Sequence, residues 1–161
     1  MNTHTRLIDL LNETSCRFRL NNHSAAGKSF EVAAARGTEV GQGAKALVCS
    51  AISSEGDRSL LLAVMPADQK LDYKRLALGL GMKKVKIAER SVAEDVTGCQ
   101  IGAIPPFYFA PSLELVVDPE LLIRYSEIAF NAGSLETSMV LSSEDYIRVA
   151  KPFLVKMIEQ A

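Results

Sequence analysis

Glycine punctuation constrains this chain more than any other feature. Gly41-Gln42-Gly43 opens directly into the apolar run from Ala44 to Ile52. Ser54-Glu55-Gly56-Asp57 then separates that run from a second, Leu60 to Met65, which Pro66 ends. Two apolar runs of strand length across a short polar turn predict a β-hairpin. Two further glycine turns follow, Thr97 to Phe107 (with Gly98 and Gly102) and Phe130-Asn131-Ala132-Gly133. One lysine, Lys45, stands at the start of the first strand. It is either a solvated edge residue or a fixed cation aimed into a pocket. Three loops that expose backbone favour a site that grips an anion or a carbonyl with main-chain N–H groups.

The remaining elements follow from periodicity. Residues 5–13, 29–36 and 72–80 read as helices, the last two stopped by Gly37 and Gly81. A helix over 91–96 would start at Ser91, with Glu94 completing a capping box. Asp118-Pro119-Glu120 reads as a helix start in which Asp118 is only a cap. Another helix spans 142–150, and Pro152 is expected to begin a terminal helical segment. Short strands are expected near Phe18 and Leu20, at 85–88, 115–117, 124–129 and 137–141. Hairpins and crossovers mix, so the fold class is α+β. We expect one domain over 1–161, with a mixed, mostly antiparallel sheet, curved or barrel-like, flanked by helices.

The 161 residues carry 18 Lys plus Arg against 19 Asp plus Glu, a net charge of −1, which argues against a general nucleic-acid coat. The local balance differs. Lys70, Lys74, Arg75, Lys83, Lys84, Lys86 and Arg90 face only Asp72 and Glu89 within 70–90. That segment is either a solvated face or a contact for the phosphates of an RNA end, with Lys74, Lys83, Lys84 and Lys86 as its candidate residues. Cys16, Cys49 and Cys99 form no close pair, so no zinc knuckle or redox dithiol is expected. Reduced thiols suit a cytoplasmic protein. Met1 to Arg6 has no secretory apolar region, and no apolar run approaches the length of a membrane span.

The order of these pieces resembles the YbaK/ProX family of freestanding aminoacyl-tRNA deacylases, closest to its YeaK branch. The matching stretches are Arg36-Gly37-Thr38, Gly41 to Val48 with Lys45, and Ala67-Asp68-Gln69. Thr97-Gly98-Cys99, Gly102-Ala103-Ile104-Pro105-Pro106-Phe107 and Ile128 to Gly133 complete it. The resemblance covers about residues 5–155. It implies a mixed β-barrel flanked by helices, similar to the editing domain inserted in bacterial prolyl-tRNA synthetases. It implies hydrolysis of the ester between a wrong, small amino acid and the 3′-terminal adenosine of a tRNA. The tRNA acceptor end is then the partner, an aminoacyl-tRNA synthetase is a second candidate partner, and neither metal nor organic cofactor is implied.

On that resemblance Lys45 anchors the terminal nucleotide and stabilises developing negative charge. Gly102 and Ala103 offer N–H groups to the ester carbonyl or the attacking water. His23, Thr38, Thr97, Gly98, Pro106, Phe107, Asn131, Ala132 and Gly133 are candidates for substrate contact. Each also has a plain structural reading. His23 would be a loop histidine, Thr38 and Thr97 turn residues, and Asn131 with Gly133 a turn after a strand. Cys99 lies in a glycine turn, but no histidine is near in sequence to activate it. His4 is expected in a frayed terminus. Without a protein base, the ribose 2′-hydroxyl of the substrate would assist. A non-catalytic tRNA- or nucleotide-binding module and a hydrolase for another small acyl ester are the competing readings.

Overall fold

The computed structural model describes residues 2–26 and 28–160. In chain order the elements are α1 (Thr3–Glu13), β1 (Phe18–Asn22), α2 (Ser29–Arg36), a 3₁₀ turn (Val40–Gln42), β2 (Ala44–Ile52), β3 (Arg58–Pro66), α3 (Tyr73–Leu80) and β4 (Lys84–Ile87). They continue with α4 (Arg90–Thr97), β5 (Leu113–Val117), α5 (Glu120–Arg124), β6 (Glu127–Ser134), β7 (Thr137–Ser142), α6 (Ser143–Ala150) and β8 (Phe153–Leu154).

The strands form two sheets rather than one closed barrel. One is antiparallel, in the order β1-β7-β6; the other is mixed, in the order β4-β2-β3-β5-β8. The hairpin β2–β3 is antiparallel over nine pairs, from Ala44↔Pro66 to Ile52↔Arg58. β5 joins β3 in parallel and β8 joins β5 in parallel. Among the described residues a single parallel bridge, Gly43↔Ala129, connects the sheets.

Alternation along β2 and β3 explains why both read as continuous apolar runs. Val48, Leu62 and Val64 face the core between the sheets, with Phe130, Met139 and Leu141. Cys49, Ala51, Leu61, Ala63 and Met65 face a second core under α3, with Leu76, Ala77 and Val155. A strand buried on both faces has no polar side to show. Tyr146 of α6 pins the first core. Its ring meets Phe107 edge-on at 5.2 Å, and its hydroxyl donates to Pro106 O at 2.6 Å.

Four sequence expectations need correction. The segment after Pro152 is extended, not helical. Val155 and Met157 are buried while Lys156 is exposed, which is strand alternation. Lys151 in the left-handed region (φ 48°) turns the chain out of α6, and Val155 N then donates to Val117 O. The helix α4 begins one residue early, with Glu89 at the cap and no side-chain cap bond. Glu94 does not fold back on Ser91, because its carboxylate takes Arg90 Nε at 3.4 Å and Ile101 N at 3.2 Å. Arg124 closes α5, so the next strand starts only at Glu127. Asp118 does more than cap. One oxygen accepts Glu120 N, and the other accepts Met157 N at 2.8 Å and Ile158 N at 3.2 Å.

Candidate functional site

The site lies where β2 has no neighbour on its outer edge. Toward its start, Gly43 pairs with Ala129 of β6. Toward its end β4 takes over, from Cys49↔Ile87 onward, with Ala88 N donating to Val48 O. The stretch between is uncovered, and a cavity of about 460 Å³ opens there between the two sheets. Its walls include Val32 and Arg36 of α2, Gly43 to Val48, Ile87, Ala88, Arg90, Gly102, Ile104 and Asn131.

Lys45 sits at the rim. By strand alternation it shares a face with Leu47 and Cys49, not with Ala44 and Ala46. Its amine donates to Gln69 O at 2.6 Å. Burial pulls its pKa below the ordinary lysine value, the charge of Asp68 pulls it back up, and Lys70 lowers it again. Asp68 itself is held by Arg124 through two bonds of 2.8 Å. That pair needs glycine at 41, where a Cβ would stand 2.7 Å from Arg124 Nη2 and 2.9 Å from Asp68 Oδ2. Thus the glycine turn ahead of β2 makes room for the ion pair that steadies the lysine's surroundings.

The far wall is a polar network. Arg36 Nε donates to Ser138 Oγ at 2.8 Å, and its Nη2 donates to Asn131 Oδ1 at 3.2 Å. The Ser138 hydroxyl donates to Asn131 Oδ1 at 3.0 Å. The Asn131 amide donates to Ala26 O and Gly102 O, which fixes its orientation. His23 lies between Ser24 O and Ser138 Oγ, 2.8 Å from each. Arg36 forms no ion pair among the described residues, and burial pushes its pKa down to about 10. At neutral pH it stays a cation in want of an anion.

Of the sequence candidates, Lys45, Gly102 and Asn131 line this cavity, and His23 joins it through Ser138. The others are placed elsewhere. Ala103 is 1% exposed, and its N–H donates to Gln100 O while its C=O accepts Gly133 N. Thr38 lies in the turn after α2, its N–H on Ala33 O, its buried hydroxyl without a partner among the described residues. Thr97 bonds Ala93 O and Gly98 ends α4, so both serve the helix terminus. Pro106 and Phe107 belong to the core around Tyr146. Ala132 O takes His4 Nδ1 at 2.7 Å, and Gly133 (φ 84°) lets the His4 backbone approach. His4 is therefore docked rather than frayed. Cys99 is buried, which raises its pKa, and its Sγ faces Thr97 O.

Arg36 falls in a stretch that carries the resemblance, Arg36-Gly37-Thr38, but is given no role at the site by it, and Ser138 is not singled out by the sequence at all. Arg36 reads as the last residue of a helix, and Ser138 as a polar position in a strand. Their pairing needs strand β7 to pass beneath α2. Among the basic residues, Lys84 and Lys86 are exposed on β4, the edge strand that ends at the cavity, and Lys83 is exposed beside them. Lys74 is on α3, across the sheet from the cavity. No cluster of three or more His, Cys, Asp or Glu side chains able to hold a metal occurs among the described residues. Among those residues, no helix is long and apolar enough to cross a membrane.

Comparison with known proteins places the chain in a family. Residues 23–149 match the model of the aminoacyl-tRNA editing domain. The chain is 47% identical over 153 residues to the multifunctional Ser/Thr-tRNA deacylase ProXp-y of Escherichia coli K12, covering 95% of this chain and 91% of that protein. Among solved structures, one described as a candidate trans-editing enzyme for prolyl tRNA synthetase superposes with a TM-score of 0.81 at 20% identity, covering 99% of both chains. A hypothetical protein superposes with a TM-score of 0.83 at 19% identity, over 96% of this chain and 99% of its own. These two likenesses concern the fold. With the domain matched over most of its length and a relative at 47% identity, the chain belongs to the aminoacyl-tRNA editing domain family.

Proposed function

We propose that this protein is a freestanding aminoacyl-tRNA deacylase that removes serine, threonine or a similarly small residue from the 3′ end of a mischarged tRNA in the cytoplasm. The observation that carries this is the placement of Lys45 at the mouth of a cavity whose opposite wall holds Gly102, Asn131 and the unpaired Arg36. The E. coli relative's substrates, Ser- and Thr-tRNA, and its identity to this chain support the choice of amino acid.

In this reading Lys45 leaves Gln69 O to hold the terminal nucleotide, and the aminoacyl group enters toward Arg36. An ester is already activated, so positioning and charge stabilisation suffice. A water oxygen bonds to the carbonyl carbon, and the C=O pair moves onto oxygen. The water's proton passes to the ribose 2′-oxygen, whose own proton goes to the 3′-oxygen as the C–O bond breaks. Free amino acid and intact tRNA remain. Lys84 and Lys86 flank the route of the acceptor stem. An aminoacyl-tRNA synthetase that passes on its product is the fitting second partner.

The test is single-turnover deacylation of tRNAs charged with Ala, Ser, Thr, Cys and Pro, by this protein and by Lys45→Ala. We expect turnover of the Ser or Thr species and a fall of about 10²-fold or more in the variant. Retained tRNA binding without turnover of any species would favour a non-catalytic module instead. Undiminished activity in Lys45→Ala would remove the lysine from the mechanism.

A further inference from the structure

Ala103 cannot offer its N–H to a substrate while Gln100 O holds it, so the second backbone donor of the site must come from elsewhere. The ladder of β2 says where. In an antiparallel strand the N–H and C=O of one residue point to the same side, and successive residues alternate. Val48 O accepts Ala88 N and Ile52 O accepts Lys83 N, so the even-numbered residues of β2 point toward β4. Gly43 O accepts Ala67 N, so the odd-numbered ones point toward β3. Ala46 therefore aims both its N–H and its C=O at the outer edge. There β4 has already ended at Ile87 and Ala88, and the bridge to β6 is confined to Gly43. No ladder pair on that side of β2 includes Ala46 among the described residues, and Ala46 lines the cavity. Such a pair of backbone groups at a strand edge is an unfilled place in a sheet.

We propose that Ala46 pairs with the amino-acid residue of the substrate as a one-residue strand would. Its N–H donates to the ester carbonyl, and its C=O accepts a proton of the α-amine. When the attacking water bonds to the carbonyl carbon and the C=O pair moves onto oxygen, the Ala46 N–H stabilises that oxyanion together with Gly102 N–H. The role rests on the deacylase reading above and adds a catalytic group to it. The adjacent Lys45 then holds the nucleotide, while its neighbour in sequence holds the acyl group. Because Ala46 shares its strand face with Val48, the side chain of the bound residue lies beside the Ala46 methyl, inside the cavity.

The test replaces the Ala46 peptide by an ester, with lactic acid in place of alanine, in a semisynthetic protein. This removes the N–H and keeps every side chain. The same exchange at Ala103 is the control. We expect kcat on Ser-tRNA to fall by about 10²–10³-fold at 46, with KM changed by less than about threefold and the fold unchanged by circular dichroism; exchange at 103 should cost stability but little kcat. Equal losses at both positions, or none at 46, would overturn the proposal. Ala46→Pro also removes the N–H without removing a ladder bond, and full activity in that variant would overturn it as well. A readout independent of turnover is the Ala46 amide proton resonance in the presence of a stable 3′-seryl-amino adenosine. A downfield shift supports the pairing, and no shift overturns it. Absence of turnover on every charged tRNA by the unmodified protein, with the shift present, would instead sink the deacylase reading and leave the pairing in place.

Discussion

The chemistry of this site comes down to cations whose partners are unequal. Lys45 has Gln69 O and the nearby Asp68, and Arg90 has Glu94. Among the described residues Arg36 has only neutral acceptors, Ser138 Oγ and Asn131 Oδ1. A buried charge that lacks a counter-charge opposes folding, and an apolar residue of similar size often restores stability. After Arg36→Met, the Ser138 hydroxyl still donates to Asn131 and His23 still reaches Ser138, so no new orphan forms in the network. We expect the variant to melt at the same temperature or higher, while kcat/KM falls by about tenfold or more. Calorimetry and deacylation measured on one preparation check both halves, and a large fall in melting temperature would show Arg36 to be structural. From the sequence Lys45 was legible, because a lysine between a glycine turn and an apolar strand is unusual. Arg36 was not, because nothing in its own neighbourhood marks a partner 102 positions away.

Elements differ in what holds them. The hairpin β2–β3 is fixed by its own pattern, as are the helices that Gly37, Gly81 and Gly98 stop. The C-terminal strand is not. It is two residues long and joins the sheet only beside Val116 and Val117. Asp118 supplies a second hold, with a carboxylate that accepts two N–H groups of residues 157 and 158 while holding the start of α5, and the bridge of Ile158 to Leu71 with the bond from Asp72 N to Met157 O adds a third. Hydrogen bonds to a charged group contribute about 1.5–3 kcal/mol each, less when the partners can turn to water. Asp118→Ala should therefore lower stability by roughly 3 kcal/mol. It should also raise amide exchange at 155–158 well before the rest of the sheet. Urea unfolding with site-resolved hydrogen exchange measures this, and uniform exchange across the sheet would count against a local tether. The sequence misled here because Pro152 after a helix suggested a new helix start. The alternation Val155-Lys156-Met157 carried the correct signal, but three residues are too few to establish a period.

At the scale of the whole molecule, a near-neutral chain must still meet a polyanion. Its basic residues are not spread evenly. Lys83, Lys84 and Lys86 stand exposed on or beside the edge strand that ends at the cavity, so charge and site share one side. Lys74 stands across the sheet and has no such claim. Reversing Lys84 and Lys86 to Glu should weaken binding of tRNA. It should also flatten the dependence of log K on log salt, by roughly 0.7–0.9 for each phosphate that is no longer neutralised. Lys74→Glu should leave the slope unchanged. Equal slopes for all three proteins would make the β4 lysines a plain solvated edge. The same strand carries a structural task, since lysines on an edge discourage pairing with other chains.

The sequence by itself determined the class of fold and the order of nearly every element, and it singled out the lysine that lines the cavity. These rest on local signals: apolar periods, glycine stops, and a lysine beside a strand. Tertiary structure alone decided which backbone groups remain free. The Ala103 N–H is taken by Gln100 O, whereas Ala46 is in no ladder pair on the outer side of β2 among the described residues, because β4 ends at Ile87 and the bridge to β6 lies at Gly43. It also decided that Arg36, Ser138, Asn131 and His23 meet. Hydrogen-bond satisfaction is a property of what lies beside an atom in space, and for a strand edge that neighbour comes from a distant part of the chain.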